Sequence, residues 1–245
     1  YLELKSPEYN IDWEDVKKVI NQKTKMIIIN TPHNPTGAVM SESDMCSLEK
    51  LTEHTDIVIL SDEVYEHIIF DGNKHQSVAR FPKLAERSFV ISSFGKTFHT
   101  TGWKIGYCVA PKNLMVEFRK VHQFNVFAVN TPIQFALTEF LKKKKNYLQL
   151  GNFYQKKRDY FLKHIKGSRF SFVPAPGTYF QLLWYDKITK EKDAEYATRL
   201  IKEMKIASVP VSVFYHKLND NRVLRFCFAK EEETLEKSAK ILCKI

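Results

Sequence analysis

The sequence predicts an α/β protein: a mostly parallel sheet sandwiched by helices, followed by a smaller C-terminal α+β domain. Three observations lead there. Short apolar runs at 26–30, 57–60 and 88–91 alternate with helix-period segments, the pattern of strands joined by helical crossovers. Each run gives way abruptly to polar residues, which places Asn34, Asp62 and Lys96 just beyond three strand ends. The pattern then turns helical over 113–166, and from Phe170 onward short strands and helices mix. The division falls near residue 145, with a bridging helix at about 146–166.

In chain order, Tyr1 to Leu4 is expected to be a short strand, followed by Pro7 and a helix over 12–20. Asp12 suits its N-cap, and Val16, Val19 and Ile20 share its apolar face. The strand at 26–30 runs into Thr31-Pro32-His33-Asn34-Pro35-Thr36-Gly37, where prolines and a glycine fix a rigid turn. A helix over 43–54 leads to the strand at 57–60, which delivers Ser61-Asp62-Glu63-Val64-Tyr65. The polar stretch 71–75 reads as mobile. The strand at 88–91 ends in Ser92-Ser93-Phe94-Gly95-Lys96, and a strand over 107–110 stops at Pro111. The helical region breaks near Asn130-Thr131-Pro132 and ends at Gly167-Ser168. Beyond it the order reads strand, strand, helix (193–204), strand, strand, helix. Glu231, Glu232 and Glu233 suit the first turn of the last helix, and Leu235, Ala239 and Leu242 its buried face.

Composition narrows the function classes. Hydrophobic residues make up 44% and charged residues 27% of the 245, ordinary for a globular protein. The apolar runs are too short to span a bilayer, and Tyr1-Leu2-Glu3-Leu4-Lys5 has no secretory pattern. Cys46, Cys108, Cys227 and Cys243 are scattered, with no metal-ligand spacing. Cys108 and Cys227 lie in apolar runs where a thiol packs as a small hydrophobe. A reducing, cytoplasmic setting is expected, with neither a disulfide framework nor a metal site. The net charge of +10 comes from dispersed residues, and its one dense run, 142–145, closes a helix. No nucleic-acid motif accompanies it, so neither nucleic acid nor membrane is expected as a partner.

Parallel sheets bind ligands outside the carboxyl ends of their strands. Three neighbouring ends would bring an amide, an acid and an amine to one crevice. A strand-end lysine between Ser93 and Lys104 can serve as an amine nucleophile beside a held anion. Read singly, each residue has a plainer role: Asn34 a turn residue, Asp62 a helix cap, Tyr65 core filling, Lys96 a solvated loop cation. Arg225 lies in a run of Leu and Phe, where a buried guanidinium needs an anionic partner.

The motifs Asn34-Pro35-Thr36-Gly37, Ser61-Asp62-Glu63-Val64-Tyr65 and Ser93-Phe94-Gly95-Lys96, with Val223-Leu224-Arg225-Phe226-Cys227-Phe228-Ala229, resemble those of the fold type I, class I/II aminotransferases that use pyridoxal 5′-phosphate. Finer stretches at 31–35, 102–111, 120–123 and 209–214 are similar to the methionine and kynurenine aminotransferase branch. The resemblance covers essentially the whole chain. It implies that Lys96 holds the cofactor aldehyde as an imine and later carries a proton, and that Asp62 pairs with the pyridine nitrogen. It further implies that Asn34 and Tyr65 hydrogen-bond the ring hydroxyl, Ser93 and Lys104 hold the phosphate, and Arg225 clamps the substrate carboxylate. Tyr179, in Gly177-Thr178-Tyr179-Phe180, is implied as a specificity contact, and Asn34 also borders the substrate.

Lys104 stands where many relatives carry arginine. Relatives also carry a segment before the position of Tyr1, with further large-domain strands and part of a dimer interface. The resemblance therefore implies an incomplete large domain over 1–145, a cofactor site that is incomplete and inactive in these residues alone, and a homodimer for the full-length protein. The implied reaction is transfer of an amino group from an L-amino acid, methionine or aromatic, to a 2-oxo acid. Carbon–sulfur β-elimination on the same cofactor and a non-catalytic cofactor-binding regulatory domain are the alternatives.

Overall fold

The computed structural model describes residues 1–245. Its helices are α1 (Trp13–Val19), α2 (Glu42–Thr52), α3 (Pro82–Ala85), α4 (Phe94–Thr97), α5 (Lys112–Asn125), α6 (Thr131–Leu141), α7 (Lys145–Leu148), α8 (Leu150–Ile165), α9 (Asp193–Arg199) and α10 (Glu232–Leu242). The strands are β1 (Met26–Asn30), β2 (Val58–Asp62), β3 (Ser88–Ser93), β4 (Gly106–Val109), β5 (Phe180–Trp184), β6 (Val209–Pro210) and β7 (Val223–Cys227).

The first sheet has the order β1-β2-β3-β4. β1, β2 and β3 are parallel, with Asn30 opposite Asp62 and Asp62 opposite Ile91, whereas β4 returns antiparallel with Gly106 opposite Ser93. One face buries Ile29 and Ile59 against Met45 and Leu48 of α2, Val78 and Leu84. The helices on this face start where their caps dictate. The Asp12 carboxylate accepts from the amides of Glu14 and Asp15, and Ser41 and Asp44 form a capping box. The other face is only partly covered, with the Phe118 ring of α5 6.2 Å from that of Phe89. Ile28 points away from the core and is 69% exposed, so β1 is buried on one side rather than both.

The second sheet has the order β5-β7-β6, all antiparallel. Its core gathers Leu183, Leu224 and Phe226 with Tyr154, Phe161 and Ile165 of α8, and Leu235, Ala239 and Leu242 of α10. Those last three are the face the helical spacing predicts. Tyr65, Ile68 and Phe70, which follow β2, join the same core and tie the two sheets together.

Several expectations are corrected. Tyr1 to Leu4 is not a strand, since no neighbour supplies a ladder. Nor is the segment after Phe170: Pro174 and Pro176 lack the amides a ladder needs, and only Ser171 bridges Trp184. β6 is two residues long and passes into a 3-10 turn, Val211–Phe214. The helix expected over 193–204 ends as α9 and continues as a π-helical turn, Leu200–Met204. The stretch 71–75 is anchored at both ends. Arg158 makes a two-pronged ion pair with Asp71 at 2.6 and 2.7 Å, and His75 Nε2 lies 2.7 Å from Glu63 Oε2. Cys227 is exposed rather than packed as a hydrophobe.

Candidate active site

Three strand ends build the site. At the end of β1 the Asn30 side chain works in two directions. Its Nδ2 donates to the Asp62 carbonyl at 3.0 Å, and its Oδ1 accepts from the Asn34 amide at 2.8 Å. The turn that follows is closed by Gly37 N–H to His33 O at 2.7 Å and His33 N–H to Ala38 O at 2.8 Å. Gly37 has φ +80°, and a Cβ there would come within 2.7 Å of the Gly177 carbonyl oxygen, so only glycine lets the two loops meet. The His33 ring bonds Thr36 Oγ1 at 2.8 Å, and burial lowers its pKa to about 4, leaving it neutral. Held this way, Asn34 Oδ1 accepts from Arg225 Nη1 at 2.6 Å.

At the end of β2, Asp62 Oδ1 accepts from the Val64 amide at 3.2 Å, and no cation faces it. Burial raises the Asp62 pKa, the Val64 amide opposes this, and the neighbouring Glu63 charge adds to it. Tyr65 is 2% exposed, its ring 5.3 Å from Tyr179 and edge-on to it. Burial pushes its phenol far up, the neighbouring Tyr179 adds to this, and the Arg225 charge counters it. Tyr65 is thus a core residue and a site neighbour at once.

At the end of β3, Ser93 caps α4, its hydroxyl accepting from the Gly95 amide at 3.1 Å. Lys96 is half-buried in this single turn, which closes through Phe98 N–H to Phe94 O at 2.8 Å and Thr100 N–H to Gly95 O at 3.0 Å. Ser93, Lys96, Thr101 and Lys104 line a concavity of about 250 Å³. Lys104 is exposed and left-handed, with φ +55°. Two ammonium groups and two hydroxyls around one hollow suit a small polyanion.

The residues singled out from sequence thus fall into two groups. Asn34, Tyr65, Tyr179 and Arg225 form one contiguous set, beside Asp62. Ser93, Lys96 and Lys104 form the other. The register joins them: Asp62 is opposite Ile91, and Ser93 lies two residues further along the adjacent strand. Strand spacing puts the Asp62 and Ser93 backbones about 8 Å apart, the width of a small ring between them.

Arg225 is half-buried, its guanidinium 4.0 Å above the Phe180 ring and 5.2 Å from Phe214. Desolvation lowers its pKa, and its hydrogen-bonded partner is the Asn34 amide rather than a carboxylate. Sequence reasoning missed Glu63, which is 1% exposed and accepts from Ser61 Oγ at 2.8 Å and the Val78 amide at 3.1 Å besides its contact with His75. These bonds, with one from Ser77, outweigh burial and lower its pKa. Its only sequence signal was an acid directly after Asp62. Tyr154 and His99 were also missed, their contact spanning 55 residues.

A mostly parallel sheet with an acid and an amine cradle at its carboxyl edge, and an arginine reaching that edge from a second sheet, defines a class of protein. The profile of the aminotransferase class I and II family matches residues 1–242, and the chain belongs to that family. It is 42% identical to the methionine aminotransferase of Escherichia coli (strain K12), over 98% of this chain and 62% of that protein. It is 30% identical to kynurenine–oxoglutarate transaminase 1 of Homo sapiens, over 94% of this chain and 60% of that one. The solved structure of an Escherichia coli protein with a methionine aminotransferase function superposes at TM-score 0.96 with 41% identity, over 99% of this chain and 64% of that one. The N-succinyldiaminopimelate aminotransferase of Mycobacterium tuberculosis superposes at TM-score 0.90 with 30% identity, over 96% and 62%. The chain thus spans about three fifths of the length of these curated relatives.

Proposed function

We propose that the protein transfers the amino group of an L-amino acid, methionine or aromatic, to a 2-oxo acid, with pyridoxal 5′-phosphate as cofactor. The observation that carries this reading is the relation of Asp62 to the Lys96 turn. A half-buried carboxylate with a raised pKa and no cation opposite it stands one strand away from a hollow holding two lysines and two hydroxyls. A group with a ring cation at one end and a phosphate at the other satisfies both.

When bound, the cofactor supplies a carbonyl that condenses with primary amines and a protonated ring that accepts an electron pair. The chain's own residues do the rest. Asp62 holds the ring proton, an ionised carboxylate beside a cation being stabilised relative to an isolated one. Ser93 and Lys104 bind the phosphate. Asn34 and Tyr65 orient the ring through its hydroxyl. Lys96 would move a proton at the substrate α-carbon. Arg225 fixes the substrate carboxylate with donors that Asn34 leaves unused. Tyr179 borders the side chain, and its aromatic face favours an apolar or aromatic donor. Residues 1–145 would supply the cofactor half and 146–245 the carboxylate half, bridged over 146–166. A homodimer in the cytoplasm, the homodimer being what the family resemblance implies, belongs to the same proposal.

The test is an assay of the full-length protein with methionine and with an aromatic amino acid, each supplied with a 2-oxo acid, read as amino-acid product. Product that depends on the oxo acid supports transamination. Ammonia and pyruvate released from a cysteine conjugate without oxo-acid dependence would replace it with β-elimination.

A further inference from the structure

We propose that Tyr154 and His99 are positioning residues for the Lys96 turn, a hydrogen-bonded clasp by which helix α8 holds the reacting amine in place relative to Arg225. The proposal rests on the reading of Lys96 as that amine.

Tyr154 lies on α8 and is 2% exposed, within the core of the second sheet. Its hydroxyl has one partner, Nδ1 of His99, at 3.2 Å. Burial pushes the phenol's pKa upward, so the hydroxyl keeps its proton and shares a hydrogen bond with the imidazole nitrogen. His99 is three residues past Lys96 and takes a left-handed backbone, φ +57°, just after Phe98 caps α4. A β-carbon residue in that region is held by its surroundings rather than by local preference, and the Tyr154 bond is the side-chain contact that holds it.

A second grip comes from the same side of the molecule. The Phe98 ring lies edge-on to Phe140 of α6 at 5.0 Å and to Tyr147 of α7 at 6.4 Å. Residues 98 and 99, directly after the lysine turn, are therefore both fastened to the helical segment that leads into the second sheet. In the other direction, Tyr154 touches Tyr179 at 5.6 Å and Tyr179 touches Tyr65 at 5.3 Å. Tyr65 is in turn close enough to feel the Arg225 charge. One continuous aromatic path thus joins the Lys96 turn to the arginine across both sheets. Tyr154 touches neither the cradle lined by Lys96 nor Asn34, so its influence passes through His99 and Tyr179.

Tyr154→Phe keeps the ring and its packing and removes only the hydroxyl, which separates the clasp from space filling. Amide hydrogen exchange of the full chain without cofactor reads it directly. The Phe98 and Thr100 amides close the Lys96 turn. They are expected to exchange about fivefold faster in Tyr154→Phe, the factor one ordinary hydrogen bond supplies. The Ile59 amide of β2 should be unchanged. His99→Ala should match it, and the double variant should be no faster than either single one, because both remove the same bond. Unchanged exchange at 98 and 100 in Tyr154→Phe overturns the clasp. Borohydride reduction of the full-length wild-type protein with pyridoxal phosphate separates the two ideas. Faster exchange with no adduct on Lys96 defeats the proposal at its premise, and unchanged exchange with a labelled Lys96 defeats the clasp alone. In the loaded enzyme, Tyr154→Phe is expected to lower kcat several-fold with KM for the amino acid held within twofold, whereas a general loss of folding would move both.

Discussion

Arg225 Nη1 donates to Asn34 Oδ1 at 2.6 Å, joining two residues 191 positions apart. The bond fixes one end of a guanidinium already seated over Phe180, and it spends only one of the five donors. The rest of the fork, half-buried and without a carboxylate, is poised for a planar anion. The same bond ties the β1 turn to the central strand of the second sheet.

Arg225→Lys keeps the charge and loses both the fork and the stacking on Phe180. Turnover per mole of amino acid at low substrate should fall by about 10²-fold, matching the loss of roughly two charge-assisted hydrogen bonds. Measured kcat/KM within threefold of wild type would remove Arg225 from carboxylate binding.

Asp62 carries an opposite pair of consequences. Burial raises its pKa, so the folded chain binds this proton more tightly than the unfolded one, and stability falls as pH rises from the ordinary value near 3.8 through the raised one. The cost is full at neutral pH and absent in strong acid. Asp62→Asn is therefore expected to raise the neutral-pH Tm of the cofactor-free chain by on the order of 1–2 °C, discounted for partial exposure, with no gain below that window. The same substitution should cut turnover by about 10³-fold, because a neutral amide cannot hold the ring proton. A lower Tm at neutral pH or unimpaired turnover would contradict its placement.

Gly37→Ala tests whether the Asn34 turn depends on the meeting of two loops. A Cβ at this left-handed position meets the Gly177 carbonyl and the Ala175 Cβ, at 2.7 and 2.9 Å. A loss of about 1–3 kcal/mol in urea unfolding is expected, together with weaker carboxylate binding as Asn34 moves from Arg225.

Much of this site is legible in the sequence because each of its strands ends where an apolar run meets a polar cluster. Asp62 and Lys96 could be placed from such local contrast, as could Asn34 just past the β1 end, and the family motifs supply the roles they imply. Local contrast is silent on partners. Glu63 with His75, and Asp71 with Arg158, are pairs fixed by tertiary folding, so a stretch that reads as mobile is anchored. Val173-Pro174-Ala175-Pro176 is apolar enough to suggest a strand, yet its prolines lack the donors. The antiparallel return of β4 follows a connection, residues 94–105, that is spent on the Lys96 turn and a 3-10 turn rather than on a crossover helix.

The buried Glu63 carboxylate gives a second stability test. Its bonds to His75, Ser77 and Ser61 lower its pKa, so it stabilises the fold above the ordinary value near 4.5 and loses that contribution as pH falls through the lowered one. His75→Ala leaves Ser61 and the Val78 amide as partners but strips away the cation-capable one. A loss of about 2 kcal/mol at neutral pH, the worth of one hydrogen bond to a charged group, is expected by chemical unfolding, shrinking in acid once the carboxylate is protonated.

The central claim is that Lys96 is the amine that meets the cofactor carbonyl, and the most direct test is the site of covalent capture. The full-length protein is incubated with pyridoxal phosphate, reduced with borohydride, digested and mapped by mass spectrometry. The expected result is one stoichiometric adduct on Lys96, lost in Lys96→Ala. An adduct spread over exposed lysines such as Lys142 to Lys145, or left unchanged by Lys96→Ala, would contradict it.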